Sequence, residues 1–264
     1  MDFMYLIHPI FKWLHVIAGI MWIGLLYFFN FVNSGFAPTM DGDTKKKVVP
    51  ELMPRSLYWF RWGAAYTWIT GLVLLLVVYY HGGLTFDDPD MEYGVPFIVM
   101  VAVTFLAVYV YDALYSSPIA SNPRQATVVS FILIAVIIFL MKEWAGFSYR
   151  SYNIHLGALF GTSMAFNVWF RIWPAQQKII NAIKNGDAPD GDLLALAGLR
   201  SKHNTYMSVP LVWTMHNQHH ADVLSGGKFG IPSEWSWVVL MVFVALGWHI
   251  VFQMYKKAST VSGF

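Results

Sequence analysis

The sequence predicts an all-α fold, a polytopic membrane helix bundle of about seven transmembrane helices. Three observations carry this. Hydrophobic residues make up 57% of the 264 residues and charged residues 12%, about half the charge of a soluble domain. Apolar runs of bilayer-spanning length recur along the chain. Lysine and arginine cluster at two of the loops, which sets a topology. The chain reads as a single integral membrane domain, 1–264, with no soluble domain.

The spans are expected at His8–Phe31, Leu57–Tyr80, Val95–Tyr115, Gln125–Trp144, Tyr152–Trp173, His203–Ala221 and Trp235–Tyr255. The first follows a terminus without a basic region, so it is expected to stay rather than be cleaved. The fourth, TVVSFILIAVIIFLM, is apolar all round and should face lipid. The fifth carries Gly157, Gly161 and Ala165 at four-residue spacing, which suits close helix packing. Long connections are expected at Asn33–Ser56 and Pro174–Lys202, the second holding a short amphipathic piece. Lys45, Lys46, Lys47, Arg55 and Arg61 flank the first loop, and Arg171, Lys178, Lys184, Arg200 and Lys202 the fifth. The second loop instead holds Asp87, Asp88, Asp90 and Glu92. This asymmetry puts the N-terminus outside and the C-terminus inside.

The net charge is +2 and no basic block extends beyond Lys45–Lys47, so nothing points to nucleic acid. The absence of cysteine excludes disulfides, thiolate metal sites, iron–sulfur clusters and covalently attached haem.

The sixth span is the richest in chemistry. RSKHNTYMSVPLVWTMHNQHH holds His203, His216, His219 and His220, four of the nine histidines. Ionisable groups in a bilayer are costly and point to function. At about 1.5 Å per residue, His203 and His219 lie roughly 24 Å apart, so one helix can serve both membrane faces.

Sorted by depth, the histidines form two layers. His15 and His155 lie near the outer face on different helices. A buried neutral imidazole needs a hydrogen-bond partner or a metal. Two such histidines at matched depth suit the axial positions of a b-type haem; a hydrogen bond to a carbonyl or serine is the competing explanation. His203, His249 and Asp112 lie near the inner face. They suit either a second haem, with Asp112 orienting an imidazole, or acid–base handling of a polar substrate. An interhelical His–Asp bond is the structural alternative. Arg55, Arg61, Asn167, Arg171 and Arg200 are available around this layer. His216, His219 and His220 have i, i+3, i+4 spacing that suits a transition metal.

WLHVIAGIMWIG, FRWGAAYTWITGLVLL, YDALYSSP, IHLGALFGTSMAFNVWF with PAQQKIINAIKNGDAPD, RSKHNTYMSVP and a late GWH resemble, in collinear order, successive segments of the bacterial membrane-bound urate oxidase (urate hydroxylase) family. That resemblance places His15, Asp112, His155, His203, Asn204 and His249 at family motif positions. It implies a protein of the bacterial inner membrane that oxidises urate, a planar purine, in a site of His203, Asp112, Asn204 and Arg200. On the reading of the histidine layers above, electrons would pass through one or two b-type haems held by His15, His155, His203 and His249. The family's full-length members carry a cytochrome c domain after the membrane domain. This chain has none, which implies transfer to a separate cytochrome c. The first-helix motif is also similar to that of haem-binding bacterial protoporphyrinogen oxidases. A non-catalytic haem-b subunit of a respiratory complex, and a haem-free binding protein or transporter, are the alternatives to an oxidoreductase.

Overall fold

The computed structural model describes residues 4–221 and 231–261, excepting the side chains of residues 4, 5 and 219. Among the described residues the chain is helical without strands; an isolated bridge joins Phe86 and Phe147. The long helices are α1 (Met4–Tyr27), α2 (Gly42–Leu74), α3 (Val95–Leu114), α4 (Pro123–Glu143), α5 (Tyr149–Phe166), α6 (Trp173–Asn185), α7 (Gly191–His216) and α8 (Ser236–Ala258). Three are extended by π-helical turns, α1 through Phe28–Asn33, α2 through Leu75–His81 and α5 through Asn167–Ile172. Such turns are rare and gather at functional sites.

Five helical segments are long and apolar enough to cross a membrane: Leu6–Thr39, Gly42–His81, Val95–Leu114, Pro123–Glu143 and Ser233–Ala258. The chain is a multi-pass membrane protein. The two other expected spans are helices too, α5 with its π-helical extension and α7, but both carry buried polar side chains. Asn153, His155, Asn167, Arg200, Asn204, Thr205 and Ser208 are each at most 1% exposed. Their sequences are less apolar because they face protein rather than lipid. By contrast Val128, Ile132, Val136 and Phe139 of α4 are exposed, as its all-round apolar sequence predicts.

Helix ends follow local chemistry. Helix α2 starts well before the expected Leu57. The Asp41 carboxylate accepts from the Thr44 N–H at 2.7 Å, so the lysine-rich stretch read as loop is its first turns. Pro50 and Pro54 lie inside it without ending it. Helix α4 starts with Asn122 accepting from Arg124 N and Gln125 N, and Pro123 at the first helical position. Helix α6 ends at Gly186, whose φ of +86° is left-handed. The connection expected as far as Lys202 is shorter, because α7 begins at Gly191 and Asp190 accepts from Asp192 N at 2.8 Å.

The residues divide into two compact units. The first holds residues up to Val73, Met164–Val209 and those from Trp248 on; the second holds Leu74–Ser163 and Pro210–Gly247. In the first unit, Leu57, Phe60, Gly63, Ala64, Thr67 and Thr70 make a buried stripe on α2 at helical spacing. At Gly63 the helices touch: a Cβ there would lie 3.2 Å from the Trp22 backbone nitrogen of α1. Ala175 and Ile179 of α6 pack on Ala197 of α7. In the second unit, Gly157 of α5 is required by contact, since a Cβ would lie 2.2 Å from Thr214 Oγ1 of α7. Gly161, the other glycine of the expected packing motif, has open space at that position. The Trp213 and Phe243 rings stack at 3.9 Å between α7 and α8.

Candidate functional site

In the first unit, polar side chains of α7 meet the π-helical turns of α1 and α5. Asn167 Nδ2 donates to Asn204 Oδ1 at 2.8 Å, and Asn204 Nδ2 donates to the Met164 carbonyl at 3.0 Å. Both amides are fully buried, so their orientation is fixed by this chain of bonds. Arg200 precedes Asn204 by four residues, on the same helix face, and is 1% exposed. A turn away on α7, Ser201 Oγ accepts from Asn30 Nδ2 at 2.8 Å, and Tyr255 OH donates to Asn30 Oδ1 at 2.8 Å. Ser208 donates to the Thr205 carbonyl, so Tyr27 OH is the donor to Ser208 Oγ at 3.0 Å. Tyr206 stacks on Trp248 with ring centroids 4.7 Å apart.

His15 is anchored in the same unit. Thr70 Oγ1 spends its proton on the Tyr66 carbonyl at 2.6 Å. It therefore accepts from His15 Nδ1–H at 3.1 Å, leaving Nε2 as the lone-pair nitrogen. Gly71 makes room for the ring: a Cβ there would be 3.1 Å from His15 Cε1.

His155, in the second unit, is fully buried. Its Nδ1 lies 2.7 Å from the Ser151 carbonyl, which can only accept, so Nδ1 carries the proton. Nε2 then accepts from Tyr80 OH at 2.9 Å. Phe147 packs on the imidazole with centroids 4.7 Å apart. Nearer the start of α5 is a second buried amide group: Asn217 Nδ2 donates to Tyr149 OH at 2.5 Å, and Asn153 Nδ2 to the Thr214 carbonyl at 3.0 Å.

These amide, guanidinium and imidazole groups sit in the helices whose sequences carry the most specific motifs, and the urate oxidase N-terminal family model matches residues 2–262. The chain belongs to that family. No curated protein and no solved structure matches it.

In this family member, Arg200 and Asn204 lie together on α7, and half-buried His203 is their neighbour there. His249 is exposed on α8 and bonds Gln253 at 3.0 Å. Asp112 is half-buried on α3 and belongs to the second unit. Among the arginines considered for the inner layer, Arg61 is enclosed by aromatics, its guanidinium 4.1 Å from the Trp173 ring centroid. Arg55 pairs with Glu51 on the surface at 2.7 Å. His216 and His220 are exposed, and the His219 side chain lies outside the described residues, as does any metal site needing it. Among the described residues no group of three or more His, Asp or Glu is placed to hold a metal ion.

For haem, the cofactor expected from the two histidine layers, the fit is unequal. Both histidines carry the proton on Nδ1; Nε2 is the lone-pair nitrogen of His15, whereas that of His155 is taken by Tyr80 OH. Sequence reasoning missed Thr70 and Tyr80, the residues that set these roles. The signal for Thr70 was present in Thr67 and Thr70, two hydroxyls at helical spacing in an otherwise apolar run. It also missed Asn30, Ser201 and Tyr255, since polar residues so far apart in sequence do not announce their pairing.

Proposed function

We propose that this protein is a urate-oxidase-like oxidoreductase of the bacterial inner membrane, N-terminus outside, which oxidises a urate-like purine and delivers electrons through b-type haem to an external cytochrome c. The observation that carries the reading is the buried Arg200–Asn204–Asn167 group within a chain matched almost end to end by the urate oxidase N-terminal family.

The chemistry follows from what the residues can offer. Urate is planar, anionic at neutral pH and edged with carbonyl and N–H groups. Arg200 supplies a fixed positive charge and a planar fork of donors. Asn204, oriented by Asn167 and Met164, has one amide hydrogen and one lone pair left for a purine edge. Hydroxylating a purine with water releases protons together with electrons, so a base is needed; His203, beside both groups on α7, is assigned that role. Asp112 is kept as a second proton-handling candidate. Bound haem would supply a one-electron acceptor, with His15 in the first unit as a candidate ligand and His155, His203 and His249 as the others.

The test is urate-dependent reduction of added ferric cytochrome c by the purified protein. Asn204→Ala and Arg200→Gln should raise the urate concentration for half-maximal rate about tenfold or more, a loss of one or two strong polar contacts. Reduction without urate dependence, in wild type and variants alike, would favour a non-catalytic electron carrier.

A further inference from the structure

We propose that Arg61 is the headgroup site of a tightly held anionic phospholipid, the phosphate on its guanidinium and an acyl chain along the exposed face of α2. The site lies wholly in the first unit and is independent of the haem and urate readings.

Arg61 is a cation held by aromatic rings and by no anion. Its guanidinium carbon lies 4.1 Å from the Trp173 ring centroid, 5.5 Å from that of Trp169 and 5.8 Å from that of Tyr58. Trp169 Nε1 donates to the Arg61 carbonyl at 3.1 Å, which ties the rings to the backbone that carries the charge. Arg61 Nε is buried without a hydrogen-bond partner, and among the described residues no carboxylate pairs with this side chain. Arg55, earlier on the same helix, has Glu51 as its counter-ion. Aromatic faces attract a cation but leave its charge uncancelled. Beside hydrocarbon such a charge favours an oxyanion, and the planar fork of a guanidinium fits a phosphate. The side chain is only half-buried, so an anion can reach it.

The surroundings are those of a lipid site. No charged residue lies between Arg61 and His81. At about 1.5 Å per residue that run matches the roughly 30 Å of a bilayer's hydrocarbon core, which puts Arg61 at headgroup level. Tyr58, Trp59 and Tyr66 are exposed around it, as in an interfacial aromatic belt. Towards the start of α2, Tyr58 also borders a shallow depression of about 490 Å³, lined by Pro50, Glu51, Pro54, Arg55, Tyr58 and Trp59. That is room for a headgroup beyond its phosphate. In the other direction the exposed Tyr66 and Ile69 carry the same helix face into the apolar run, a track for an acyl chain. The Trp169 and Trp173 rings, which could receive a choline ammonium, hold Arg61 instead. The site therefore selects a headgroup whose phosphate charge is not cancelled by a cation of its own.

Purified protein in detergent is titrated with fluorophore-labelled phosphatidylglycerol and phosphatidylcholine. Wild type should bind phosphatidylglycerol about tenfold more tightly, the worth of one charge-assisted contact. In Arg61→Gln the two affinities should become roughly equal, with that for phosphatidylcholine unchanged. Arg61→Lys keeps the charge and loses the planar fork, so its preference should fall between the two. It carries the test should the glutamine variant fold poorly. No preference in wild type, or a preference that both variants retain in full, overturns the proposal. Displacement of the bound phosphatidylglycerol by excess inorganic phosphate or urate also overturns it, because the occupant is then a soluble anion.

Discussion

His15 and His155 look alike in sequence, each an isolated histidine about the same depth into an apolar helix, yet their surroundings differ. His15 is half-buried, and its Nδ1 is held by a threonine hydroxyl of a different helix. His155 is fully buried, held at Nδ1 by its own helix and at Nε2 by a tyrosine of another. Both end with the same tautomer. The difference is in what each can give up: His15 keeps Nε2 for a ligand, whereas His155 must first lose a partner. A matched pair in sequence thus differs in chemistry, His155 being bonded at both nitrogens by protein groups and His15 at one by Thr70.

Substitutions sharpen that contrast. His155→Ala should have the largest effect, destabilising the protein by about 3 kcal/mol, because it opens a cavity in a packed region and strands the Tyr80 hydroxyl. His15→Ala removes one hydrogen bond from a half-buried ring and should cost about 1 kcal/mol. Thermal melting in detergent reads both. Equal destabilisation would erase the distinction between the sites.

A pair of glycines on the helix that carries His155 gives a second contrast. Gly157→Ala drives a methyl into Thr214 and should cost about 2 kcal/mol. Gly161→Ala meets nothing within 4 Å and should stay within about 0.5 kcal/mol of wild type. A large loss at Gly161 would mean that α5 packs by another face.

The smallest effect is electrostatic. The Thr44 N–H bond holds the Asp41 carboxyl below the usual carboxylate range. Its folded value is depressed, so its contribution to α2 is present above the unfolded value near 3.9 and is lost as pH falls through the folded one. Asp41→Asn should keep the cap and remove that pH dependence, seen as a flatter acid limb of helicity. An unchanged acid limb would assign the acid sensitivity to other carboxylates.

Much of this fold was legible because a bilayer leaves few choices. Five apolar helices announce themselves by length and composition, and α5 and α7 by their small and polar residues at helical spacing. The start of α2 was not legible: Lys45–Lys47 with Pro50 and Pro54 has a loop's composition, and the Asp41 cap outweighs it. At the site, the sequence pointed to Arg200, His203 and Asn204 on one helix, where spacing alone fixes proximity. Tyr80 stayed hidden because its role depends on a π-helical turn, which shifts side-chain direction without a mark in the sequence. Asp112, grouped with His203 by depth, belongs to the second compact unit and His203 to the first.

The most direct measurement of the central claim is the reduced-minus-oxidised visible spectrum of the purified protein, with pyridine haemochrome quantification, recorded with and without urate. The account predicts bound b-type haem that urate alone reduces, with the signal lost or shifted in His15→Ala and His155→Ala. A haem-free protein, or a haem that dithionite reduces and urate does not, would contradict it.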